Sequence, residues 1–209
     1  MSNNTKSLLY TKLLLVFFYL AGVIAHHFPQ YDALSIRLIP YFLLGTCFLL
    51  LFYHRPWSLD FILLILIIFS LGILVEIAGV HTGLVFGNYA YGNTLGIKIL
   101  GTPLIIGVNW IILTYSLYFW IKRIRNNYLM AFTGAIILCI TDFFIEHYAI
   151  LKNMWQWKTG VIPVHNYIGW FVVSFIMFLI YPRFIPSGRN ALAPFVYVLL
   201  LVFFILLYI

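Results

Sequence analysis

Only five residues in the chain are acidic, and three of them, Glu76, Asp142 and Glu146, stand inside long apolar runs. An ionisable side chain in such a run costs about 2.5–3.5 kcal/mol to insert into a bilayer and marks a functional site by default. The alternative is a buried acid satisfied by a neighbouring helix or a basic partner, and it explains one such residue better than three. The i, i+4 spacing of Asp142 and Glu146 puts both on one face of a helix. A carboxyl group removed from water favours its protonated form, and with a second carboxyl nearby one member can hold a proton while the other stays ionised. Such a pair offers a general acid beside a negative charge. Aromatic residues crowd the two longest loops, about 82–102 and 152–165, with Tyr89, Tyr91, Trp155 and Trp157 among them. Aromatic faces stabilise a desolvated cation by about 2 kcal/mol or more. An acid, an anion and aromatic walls suit protonation of an isolated carbon–carbon double bond to a tertiary carbocation, on a substrate dissolved in the bilayer.

The elements that must position these groups are legible from composition. The chain has 209 residues, 64% hydrophobic and 8% charged, with a mean hydropathy of +1.05. Soluble domains carry about 25% charged residues, so a water-soluble globule is excluded. The net charge of +7 comes from 12 basic against 5 acidic residues. It reflects scarce acids rather than a dense basic patch, and nucleic-acid binding is not expected. Cys47 and Cys139 lie in apolar runs and read as small core residues.

A spanning helix needs about 20 apolar residues. Runs at 8–25, 34–53, 59–81, 103–121, 129–151, 166–182 and 191–209 predict an all-α polytopic membrane protein, a bundle of about seven transmembrane helices in one integral membrane domain, 1–209. Val23-Ile24-Ala25 resembles a small-residue cleavage site, but six further spans follow, and an uncleaved first helix is expected. The N-terminus and the even-numbered loops hold Lys6, Lys12, Arg55, Lys122, Arg123, Arg125, Arg183 and Arg189; the other side holds Arg37, Lys98, Lys152 and Lys158. The positive-inside rule then predicts a multi-pass protein of the cell (inner) membrane with a cytoplasmic N-terminus, and both aromatic loops on the opposite side.

Depth brings the polar residues together. The third and fifth helices run in the same direction, and Glu76 and Glu146 each lie five residues before a predicted helix end, about 8 Å below the same surface. Asp142 is one turn deeper. Asn109 lies six residues into the fourth helix from that surface. This pattern predicts a pocket beneath the aromatic loops. His81, His147, His165 and the pair His26-His27 show no His-x-x-His or Glu-x-x-His spacing, so no metal site is expected. No phosphate loop, dinucleotide fingerprint or nucleophile elbow occurs.

The run Glu76-x-x-Gly79-Val80-x-Thr82-Gly83-x-x-Phe86-Gly87-x-Tyr89-x-Tyr91 resembles the membrane-embedded carotenoid biosynthesis family. The carotenoid 1,2-hydratases, such as γ-carotene 1′-hydratase and bisanhydrobacterioruberin hydratase, belong to that family. The likeness continues through Asp142-x-x-x-Glu146, Trp155-x-Trp157 and Pro163-x-x-Asn166-Tyr167-x-Gly169-Trp170. It departs at His147, where the family pattern has proline. The resemblance implies cofactor-independent addition of water across the terminal 1,2 (1′,2′) double bond of an acyclic carotenoid end, giving a tertiary 1-hydroxy carotenoid. It implies a lipid-soluble partner of the lycopene or γ-carotene class, with water as co-substrate and membrane lipid as solvent.

The expected catalytic residues are Asp142, Glu146 and Glu76. Asp142, the deepest, is expected to give its proton to the alkene; Glu146 and Glu76, nearer the water, are expected to orient the incoming molecule and accept its proton. Asn109 and Asn166 are expected to hydrogen-bond water or an acid. Tyr89, Trp155, Trp157 and Trp170 are expected to wall the cation, and the resemblance adds Phe86 and Tyr167 to the substrate-binding set. Tyr91 reads as an interfacial belt residue. Two alternatives stay open: a lycopene cyclase-type isomerase, in which an internal alkene captures the same cation, and a non-enzymatic seven-helix transporter or binding protein. A retinal-binding protein is not expected, because 191–209 contains no lysine.

Overall fold

The computed structural model describes residues 3–208. Within them the chain forms seven helices: α1 (Asn3–His27), α2 (Asp32–Phe52), α3 (Leu59–Thr82), α4 (Ile105–Ile121), α5 (Asn127–Leu151), α6 (Val164–Phe184) and α7 (Ala193–Tyr208). Each expected span coincides with one of these helices to within a turn or so, and the protein is an all-α polytopic membrane protein. Five helices are long and apolar enough to cross a bilayer; α4 and α7, at 17 and 16 residues, are shorter. The outer surface is apolar, with Phe17, Phe48, Leu66, Ile140 and Val172 exposed. Lipid, not water, is the solvent such a surface requires.

The helix ends carry local stop and start signals. Ser58 caps α3 by accepting from the Phe61 N–H at 3.1 Å, and Gly83, at φ 68°, closes the same helix in the left-handed conformation. Asn126 caps α5 by accepting from the N–H groups of Tyr128 and Leu129. These are the short polar side chains and the glycine that satisfy orphan backbone groups at helix termini.

Helix α4 is the axis of the bundle. It packs against α2, α3, α5, α6 and α7, and every residue from Trp110 to Tyr118 is buried. The acids thus flank a central helix.

The two long loops contain short strands that period-2 patterning does not announce. β1 (Tyr89–Tyr91) pairs antiparallel with β4 (Trp155–Trp157), in the register Tyr89↔Trp157, Ala90↔Gln156 and Tyr91↔Trp155. A small hairpin of β2 (Lys98–Ile99) and β3 (Thr102–Pro103) turns on Leu100 and Gly101, both at positive φ. The β1–β4 ribbon ties the two loops to the same end of the bundle.

Candidate active site

Glu76 stands on the α3 face that also carries Gly72 and Gly79, since residues three and four apart share a side. A Cβ at Gly72 would come within 2.7 Å of the Trp110 ring, and one at Gly79 within 2.9 Å of Phe86 and 3.0 Å of the Tyr89 hydroxyl. The two glycines therefore open the space into which the partners of Glu76 fit. Trp110 Nε1 donates to Glu76 Oε1 at 3.1 Å, while the hydroxyls of Tyr89 and Tyr91 donate to Oε2 at 2.6 and 2.7 Å. Both oxygens of this buried carboxylate are occupied.

The ribbon supplies the second set of donors. In an extended strand alternate side chains share a face, so Tyr89, Tyr91, Trp155 and Trp157 all point toward the acids while Ala90 and Gln156 face outward and are exposed. Trp155 Nε1 and Trp157 Nε1 donate to Glu146 Oε2 at 3.0 and 2.9 Å. Each strand thus serves one glutamate, and the cross-strand contacts Tyr89–Trp157 and Tyr91–Trp155, with ring centroids 5.2 and 5.9 Å apart, lock the two sets together. Both indoles converge on one oxygen, so Oε1 of Glu146 is left without a donor among the described residues. Burial, with the Glu76 carboxylate close by, pushes the phenols of Tyr89 and Tyr91 well above the ordinary tyrosine value. Both remain O–H donors.

Asp142, one turn along α5, is fully buried. Its Oδ2 accepts from Asn166 Nδ2 at 2.7 Å, and Oδ1 has no hydrogen-bond partner. The three acids are therefore met by three, two and one donors, and this grading separates them chemically.

Glu76 and Glu146 line one cavity of about 30 Å³. Room of that size holds a water molecule or two, provided polar partners are present. Tyr89, Tyr91, Trp155 and Trp157 roof it, Asn109 and Asn166 supply polar wall, and Phe86 and Trp170 complete its apolar side. Trp170 stacks on Trp110, centroids 4.3 Å apart. Asp142 does not line this cavity; Asn166 stands between the two, bonded to Asp142 and facing the space. Tyr167 is also outside the lining, half-buried on α6, its carbonyl 3.4 Å from Cys139 Sγ. Of the histidines near the acids, His81 bonds the Leu100 carbonyl at 3.1 Å and His147 packs on Tyr208.

Sequence reasoning passed over two members of the site. Trp110 was absorbed into an apolar span, although a tryptophan about one turn into a helix beside Asn109 is deeper than an interfacial belt requires. Tyr91 is a ligand of Glu76 rather than a belt residue. Tyr91 shares with Tyr89 the face of β1 that meets Glu76, a placement that follows only from the pairing of β1 with β4.

Comparison with known proteins identifies a family. A family model described as carotenoid biosynthesis protein matches residues 37–209, from early in α2 to the end of the chain. No curated protein and no solved structure matches.

Proposed function

The chain belongs to the carotenoid biosynthesis protein family, and from that premise we propose that it is a carotenoid 1,2-hydratase, a hydro-lyase acting on the acyclic end of a lycopene- or γ-carotene-class substrate. The observation that carries this reading is a water-sized cavity between two glutamates whose donors are distributed in opposite ways. Hydrogen bonds to a carboxylate favour its ionised form. Glu76, with donors on both oxygens, is the anion of the site throughout the reaction. Glu146 accepts both indoles on Oε2, which acts as its carbonyl oxygen, and its proton resides on the free Oε1.

The reaction then runs on this chain's own groups. The substrate end enters the cavity from the bilayer beneath the aromatic roof, and the apolar side chains around it move apart to admit it. Glu146 Oε1 gives its proton to C2 of the terminal alkene; the new C–H bond takes the π electrons and leaves a tertiary cation at C1. The Glu76 carboxylate and the faces of Tyr89, Trp157 and Trp170 stabilise that charge in a low-dielectric site. Water held by Asn109 and by the Asn166 carbonyl attacks C1, forming the C–O bond. Its surplus proton returns to Glu146, so the enzyme ends as it began and needs no cofactor. Asp142 acts through Asn166: it holds the amide nitrogen and so turns the amide oxygen toward the water. This reading transfers the donor role from Asp142 to Glu146, because Asn166 separates Asp142 from the cavity. The amides of Asn109 and Asn166 in the lining support capture by water over capture by an internal alkene. We place the protein in the cell membrane with its N-terminus in the cytoplasm, following the distribution of Lys and Arg.

Expression in cells that accumulate lycopene tests the proposal. The pigment is expected to become more polar and gain the mass of one water at each end that reacts. An isomeric product of unchanged mass would assign the same acids to a cyclase, and unchanged pigment would contradict enzymatic action on this class.

A further inference from the structure

We infer that the end of the bundle opposite the ribbon carries a phosphate-binding site built by Arg55, Lys122 and Arg189. The turn after α2 and the turn after α6 meet there in a single antiparallel bridge, Arg55 N–H to the Arg189 carbonyl at 2.9 Å and Arg189 N–H to the Arg55 carbonyl at 2.7 Å. Directly opposed residues project their side chains to the same side of such a pair, and like charges in that position repel. A third cation joins them. Lys122, at the end of α4, donates from Nζ to the carbonyl of Gly188, next to Arg189, at 2.6 Å. Its ammonium also stands over the Phe119 ring, 4.9 Å from the centroid. Burial, with Arg189 nearby, pushes the Lys122 pKa below the usual lysine value.

No carboxylate balances this group among the described residues. Arg55 gives its Nη1 hydrogens to the carbonyls of Phe52 and His54, and the Arg189 side chain donates no hydrogen bond among the described residues. The cations at the ribbon end behave differently. Lys152 pairs with Asp32, and Lys98 bonds the Tyr91 carbonyl and Asn93 Oδ1. A general excess of positive charge on one side of a membrane explains how many cations lie here, but not why three converge.

The three are also held in place. Asn190, beside Arg189, accepts from the N–H groups of Leu192 and Ala193 and so caps α7, while its amide nitrogen donates to the Leu50 carbonyl and the Tyr115 hydroxyl. His54, beside Arg55, is buried, stacked on Phe61 with ring centroids 3.6 Å apart and bonded to the same hydroxyl at 2.7 Å. The turns therefore cannot move apart to relieve the repulsion without breaking buried hydrogen bonds. Two guanidinium forks and an ammonium suit the several oxygens of a phosphate group. At a membrane interface that group is carried by an anionic phospholipid or is free in water.

The test uses the purified full-length protein in detergent. Its thermal midpoint is followed against inorganic phosphate, and separately against phosphatidylglycerol and the phosphate-free lipid diacylglycerol in mixed micelles. Phosphatidylglycerol is expected to raise the midpoint and diacylglycerol is not. A rise with inorganic phosphate as well would assign the site to the phosphate group itself; a rise with the lipid alone would assign it to the headgroup. The double substitution Arg55→Gln/Arg189→Gln should weaken the apparent affinity roughly thirtyfold, about fivefold per cation. Arg123→Gln/Arg125→Gln removes the same charge nearby and should change it less than about twofold. If the double variant does not insert, Arg189→Gln alone still tests the site with about a fivefold loss. Absence of any shift in the wild type, or equal losses in the two double variants, would overturn the inference.

Discussion

The two ends of the bundle treat charge in opposite ways. At the ribbon end, three carboxylates are met by N–H and O–H donors from the same chain, graded as three for Glu76, two for Glu146 and one for Asp142. At the other end, the hydrogen bonds of the Arg55 and Lys122 side chains go to carbonyl oxygens, and among the described residues that of Arg189 makes none. An interior that supplies its own partners is pre-organised for chemistry on a neutral substrate, since nothing charged need enter. An end that leaves cations unbalanced is built for a charged visitor.

The sharpest way to break the comparison is to remove the proton assigned to Glu146. Glu146→Gln keeps the size and the indole hydrogen bonds, and hydration measured in isolated membranes should fall by about 10²–10⁴, the usual contribution of a general acid. Wild-type turnover in this variant would return the donor role to Asp142, whose Asp142→Asn variant would then show that loss instead. Glu76→Gln removes the anion and should cost about 10²–10³ in rate, the scale of a pre-organised electrostatic group. Trp110→Phe leaves one oxygen of a buried carboxylate without a donor. Thermal or denaturant unfolding should report a loss of about 1–3 kcal/mol.

Tyr91→Phe should lose about 1.5 kcal/mol at most, because Tyr89 still donates to the same oxygen and hydrogen bonds to charged groups are worth about 1.5–3 kcal/mol. No change in either rate or stability would return Tyr91 to the interfacial belt. The basic end offers a smaller effect of opposite origin. Burial pushes His54 down to about 4, whereas an unfolded histidine titrates near about 6.5. The unfolded chain therefore binds the extra proton first, and stability should be lost as the pH falls from about 6.5 toward 4. The wild-type midpoint should drop more steeply across that window than that of His54→Gln. Equal slopes would remove His54 from the account. Smallest of all, Ala90→Ser on the outer face of the ribbon should change stability by less than about 0.5 kcal/mol.

How much of this was legible in the sequence depends on the range of the interactions. The seven helices follow from the lengths of the apolar runs, which are a local signal. The common level of Glu76 and Glu146 follows from counting residues along parallel helices. The ribbon was not legible, because Tyr89-Ala90-Tyr91 and Trp155-Gln156-Trp157 are each too short for alternation to stand out, and their pairing joins distant segments. The separation of Asp142 from the cavity depends on how α5 and α6 are rotated against each other. That rotation is set by packing, and a helical repeat alone does not contain it.

The central claim is that a carboxylic acid protonates the alkene and water captures the cation. Conversion of lycopene by membranes holding the protein, run in deuterium oxide enriched in heavy oxygen, tests it most directly. The account predicts a product with one deuterium bound to carbon at C2 and a hydroxyl oxygen derived from the solvent at C1, both lost in Glu146→Gln. A hydroxylated product with no carbon-bound deuterium, or with oxygen from another source, would contradict it.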